Sequence, residues 1–189
     1  INMSDSIKEI TLGEHTLKVY QDSDTESPRE WSNVSKMIFL GKYSHLGDEH
    51  EFKTEDADNW DELEKLIKIK LNVATITKVY GYSHGGLLIS TTPYQCRWDS
   101  GVLGFAVVTK ELIRENWNIK RVTKKYVELA DKMVEGEVET LNKYINGEVY
   151  SFRIEDKDGE IIDSCGGFYD MDDIQDHVDE MFVEALKGN

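Results

Sequence analysis

The 189-residue chain is poor in several residue types, and each shortage closes off a class of protein. Its two cysteines, Cys96 and Cys165, are too few for a disulfide framework, which points to a reducing compartment such as the cytoplasm. Two prolines and 14 glycines exclude collagen-like and low-complexity chains. No apolar run approaches the roughly 18 residues that cross a bilayer, and no signal-peptide segment stands near the start. Ile1-Asn2 ahead of Met3 reads as a cloning remnant. Neither of the glycine-rich phosphate-binding motifs is present, so no nucleotide cofactor is expected. His45 and His50 lie on one stretch with Asp48 and Glu49, but tight ligand pairs of the zinc-site kind are missing, so no metal is expected either. Basic residues are also short. The 22 Lys and Arg stand against 37 Asp and Glu, a formal net charge of -15. That balance excludes a broad basic surface for nucleic acid and disfavours an anionic membrane.

What the chain does have is apolar bulk and unevenly placed acid. A hydrophobic share of 39 %, with four Trp, nine Tyr and six Phe, is enough for a buried core. The length suits a single domain over 1–189. Residues 1–66 carry -9 and residues 147–189 carry -10, whereas residues 67–146 between them sum to +4. The natural partners of such a chain are basic proteins, cations, or nothing in particular.

Local patterns predict an α+β fold, a mostly antiparallel sheet built from hairpins with about four helices packed against it. Period-two runs around Gly13-Glu14, Ser83-His84-Gly85-Gly86 and Lys157-Asp158-Gly159 predict three hairpins. Residues 34–43 and 102–108 read as further strands, and residues 21–33 as a long loop. Helical spacing predicts helices over 58–71, 109–117 and 123–144 and, capped by Asp170, a last one through Lys187. The order is ββ-β-α-ββ-β-α-α-ββ-α.

Two sets of residues carry candidate chemistry. Cys96, His84 and Asp99 fall within a dense block of polar residues. Cysteine supplies a thiol nucleophile, histidine accepts its proton, and aspartate fixes the imidazole. The same residues also suit turns and a small buried thiol. The second set lies on the last predicted helix, where Asp172, Asp173, Asp176, Asp179, Glu180 and Glu184 fall on one face opposite Ile174, Val178, Met181 and Phe182. Carboxylates three or four positions apart stand roughly 5–6 Å from one another, which imitates a row of phosphates. A plain solvated helix face gives the same pattern.

Ser27-Pro28-Arg29-Glu30-Trp31, Leu46-Gly47-Asp48-Glu49-His50, Cys96-Arg97-Trp98-Asp99-Ser100-Gly101 and Asn146-Gly147-Glu148-Val149-Tyr150, taken together, resemble a group of small proteins from phages and mobile elements. The resemblance spans residues 26 to about 169. It implies a viral accessory protein in the cytoplasm of a bacterial host cell and carries over no site residues. The expectation is a binding protein rather than an enzyme. It would be an acidic, DNA-mimic-like inhibitor of a basic host protein, either a nucleic-acid-binding or a defence factor. The alternatives are a small hydrolase or transferase using Cys96 and His84, or a virion or replication scaffold component.

Overall fold

The computed structural model describes residues 6–96 and 98–187, with the backbone alone for Leu12 and residues 180–187. The elements follow the expected order: β1 (Lys8–Leu12), β2 (His15–Gln21), β3 (Lys36–Phe39), α1 (Trp60–Lys70), β4 (Val73–Ser83), β5 (Leu87–Ser90), β6 (Ser100–Thr109), α2 (Lys110–Trp117), α3 (Lys124–Ile145), β7 (Tyr150–Glu155), β8 (Ile161–Phe168) and α4 (Met171–Lys187). The fold is α+β, with every strand pairing antiparallel. The strands divide between two four-stranded sheets, β1-β2-β7-β8 and β3-β6-β4-β5. Tertiary contacts gather the chain into two compact units, residues 27–142 and residues 1–26 with 143–189.

In the 27–142 unit, β6 lies between β3 and β4 and is apolar on both faces. One face presents Phe105 and Val107, which join Ile38, Leu40 and Phe52 under Leu63 and Ile67 of α1. The other face carries Ala106 and Val108, also fully buried. On that side, Thr75 donates to Asp131 of α3 at 2.6 Å. A strand buried on both sides reads as a continuous apolar run rather than an alternation, as residues 102–108 do. Asn59 caps α1 and Thr109 caps α2 through their side-chain oxygens. β3 is shorter than the expected strand over 34–43. It stops at Phe39, and Gly41, at φ +68°, turns the backbone into a 3-10 helix over Gly41–Leu46. A glycine takes that left-handed conformation at no steric cost.

In the 1–26 with 143–189 unit, α4 packs on the β1-β2-β7-β8 sheet. β2 pairs with β7 so that Leu17 faces Ile154 and Val19 faces Phe152. Ile174 and Val178 of α4 close over these four side chains. The opposite sheet face is polar, with Lys18 bonded to Glu155 at 2.7 Å and Arg153 lying over the Tyr20 ring. Gly147, at φ +69°, ends α3 with backbone bonds from Gly147 to Tyr144 and from Glu148 to Lys143.

Candidate functional site

The β4–β5 hairpin tip and the segment entering β6 meet where Ser83 N–H donates to the Asp99 carbonyl at 2.8 Å. This contact brings the three candidate catalytic residues together. The Asp99 carboxylate stands between the other two, its Oδ2 3.7 Å from Cys96 Sγ and 3.5 Å from His84 Nδ1. The thiol is therefore directed at the Asp99 carboxylate. His84 is 75 % exposed and stacks on Tyr82, which in turn packs against Tyr94. Ser100 Oγ donates to the Cys96 carbonyl and closes the turn. Trp98 in this turn is 95 % exposed.

Asp99 also borders a cleft of about 350 Å³. Its lining joins the apolar Leu40, Trp60, Leu87 and Leu103 to the polar Lys42, Tyr43, Thr54, Ser83 and Asp99. Tyr43 Oη donates to Ser83 Oγ at 3.2 Å, and the Lys42 ammonium lies 4.6 Å from the Tyr43 ring centre. Hydrogen bonding with Ser83 and Lys42 holds the Tyr43 phenol below its ordinary pKa. Sequence reasoning missed Tyr43 and Ser83 as part of this site. Tyr43 read as the end of a strand, and only the turn at Gly41 carries it to the cleft.

The acidic face of the last helix is present in α4. Asp172, Asp173, Asp176 and Asp179 are exposed, and Ile174 and Val178 are buried on the other side. The side chains of Glu180 and Glu184 lie outside the described residues. Gln175 donates to Asp179 at 2.9 Å, and His177 turns back onto Phe152 and Phe168. Charge is divided unequally between the units. The 1–26 with 143–189 unit holds 19 acids and 6 bases, a net -13, and residues 27–142 hold 18 acids and 16 bases, a net -2.

Two of the quoted strings meet in a buried ion network. Arg29, whose side chain is 5 % exposed, reaches Asp48 through two nitrogens at 2.6 and 3.3 Å, Glu137 at 3.3 Å, and the Ser35 carbonyl at 2.7 Å. Glu137 also accepts from the Val34 N–H at 2.6 Å and from the Ser35 hydroxyl. Asp48 accepts from the Met37 N–H at 2.6 Å. Arg29 is thus clamped through Asp48 to β3 and through Glu137 to α3. His50 Nε2 stands 2.8 Å from the Phe39 carbonyl. Among the described residues no three His, Cys, Asp or Glu side chains are grouped to hold a metal ion. No described helix is long and apolar enough to cross a membrane.

No family model, curated protein or solved structure matches this chain.

Proposed function

We propose that the protein acts by binding a basic partner protein through the acidic 1–26 with 143–189 unit. It would work as a phage-type accessory protein in the cytoplasm of a bacterial host cell. The partner is a nucleic-acid-binding or defence factor whose basic groove accepts the α4 acids in place of phosphates. The observation that carries the reading is the gathering of -13 of the -15 net charge into one compact unit. Such a field steers encounter with a basic surface and loses strength with salt. The α4 carboxylates recur at the spacing of helix turns on a face where, between Asp172 and Asp179, only His177 interrupts and no Lys or Arg does. The resemblance to proteins of phages and mobile elements supplies the setting.

Affinity capture from host-cell extract with the full-length chain tests this. The expected product is a basic protein that duplex DNA competes away and that releases progressively between about 50 and 200 mM salt. Capture that neither salt nor DNA affects contradicts the reading.

A hydrolase or transferase using Cys96, His84 and Asp99 is the second reading, favoured by the assembly of the three around one carboxylate oxygen. Its test is Cys96→Ser in an esterase and acyl-transfer screen, where unchanged turnover of a substrate the wild type consumes removes the thiol from the chemistry.

A further inference from the structure

The cleft of about 350 Å³ lies wholly within the 27–142 unit and uses none of the α4 acids. Its volume falls within the roughly 300–1,000 Å³ of small-molecule sites, which join apolar walls to a few polar groups. Leu40, Trp60, Leu87 and Leu103 supply the apolar lining. Trp60 is held edge-on by Phe105, with ring centres 5.9 Å apart. Three polar residues of the same lining form one hydrogen-bonded chain. The Lys42 ammonium donates to Tyr43 Oη, and Tyr43 Oη donates to Ser83 Oγ at 3.2 Å. Lys42 is the one cation in the lining among the described residues. The Asp99 carboxylate already has partners, with His84 Nδ1 at 3.5 Å and Cys96 Sγ at 3.7 Å.

A chain of hydrogen bonds that starts on a cation ends on a donor. Ser83 Oγ accepts the phenol proton, so its own single proton is left for a ligand. Each bond in such a chain polarises the next, which strengthens that last donor. The lowered pKa of the Tyr43 phenol reflects the same polarisation. Lys42 has three N–H donors, and the Tyr43 oxygen takes one of them. We propose that this cleft binds a small carboxylate with an apolar body. One carboxylate oxygen accepts from Ser83 and the other from Lys42, and the body lies on Leu40, Trp60 and Leu103. Lys42 and Ser83 are both bonded to the one Tyr43 oxygen, which brings them close enough for a single carboxylate to accept from both. The bonds are charge-assisted, and a carboxylate, which only accepts, matches a site that only donates.

The test is an amide-shift titration of the full-length chain at pH 7 with sodium 3-phenylpropionate. Acetate, which lacks the apolar body, and 2-phenylethylammonium, which reverses the charge, serve as matched probes. The expected result is saturable shifts at Gly41, Gly81 and Gly101 with 3-phenylpropionate. Both other probes should bind at least about tenfold more weakly. Lys42→Met should weaken 3-phenylpropionate by a similar factor, whereas Lys110→Met, outside the cleft, should leave it unchanged. No saturable shift, equal binding of the three probes, preference for the amine, or equal loss in the two lysine variants overturns the proposal. The probe comparison is made on the wild-type protein, so it decides the matter even if Lys42→Met does not fold.

Discussion

Single residues in the 27–142 unit are fixed by contacts that a change of one atom would disturb. Arg29 is the clearest case, because its guanidinium holds two carboxylates that are themselves mostly out of water. Arg29→Ala leaves Asp48 and Glu137 without their counter-charge, which costs about 3–5 kcal/mol. Urea unfolding with a midpoint near that of the wild type would show that the network does not hold the fold. Two glycines give opposite expectations for the same chemical change. A Cβ on Gly104 would stand 2.0 Å from the Ile38 carbonyl oxygen in β3, whereas one on Gly136, in mid-α3, meets nothing within 4 Å. Gly104→Ala therefore destabilises by about 1–3 kcal/mol or more. Gly136→Ala stabilises by about 0.5–1 kcal/mol. Thermal melts of the two variants should move in opposite directions. Shifts of the same sign would contradict the packing described for Gly104. None of this was legible from the chain. Arg29, Asp48 and Glu137 sit 19 and 108 positions apart, and no local pattern announces such a partnership.

At the scale of elements, local signals carry far. Gly13, Gly85 and Gly159 each sit at positive φ in the three expected hairpin turns, where a side chain would be strained. Thr109 caps α2 at the expected start of that helix. The same is true of Asp170, which accepts from the Asp172 N–H at 3.1 Å at the start of α4. That bond, with Lys143 nearby, lowers the Asp170 pKa below its ordinary value. A carboxylate whose folded pKa is depressed contributes stability above its unfolded value of about 3.9, and loses it as pH falls through the folded one. Asp170→Asn should therefore narrow the difference in urea midpoint between pH 6 and pH 3. An unchanged difference would mean the cap is not felt in solution. The miss at residues 40–43 has a local cause as well. Leu40 and Tyr43 are good strand residues, and only the positive φ of Gly41 turns the chain away. An isolated glycine in an apolar run does not announce whether it will take that conformation.

At the scale of the whole molecule, the sequence arithmetic of two acidic ends is sharpened by topology. β2 and β7 pair across more than 120 residues of chain, and with β8 and α4 they draw both ends into one compact unit. The acidic stretch between residues 27 and 66 belongs instead to a unit whose lysines and arginines nearly balance it. Periodicity reveals which segments are strands, but the pairing of distant strands rests on many weak side-chain matches that no single residue displays. The candidate site was legible in part for the same reason. Cys96, His84 and Asp99 are neighbours in sequence and remain so in space, whereas Tyr43 comes to them from another part of the chain. We propose that the charge of the α4 face is used in recognition. It is tested most directly by measuring the affinity of the captured basic partner, across salt concentration, for the wild type and for the Asp172→Asn, Asp176→Asn, Asp179→Asn, Glu180→Gln variant. Binding by the variant should be at least about tenfold weaker at low salt, with a shallower dependence on salt. Equal affinity with the same salt slope would contradict it.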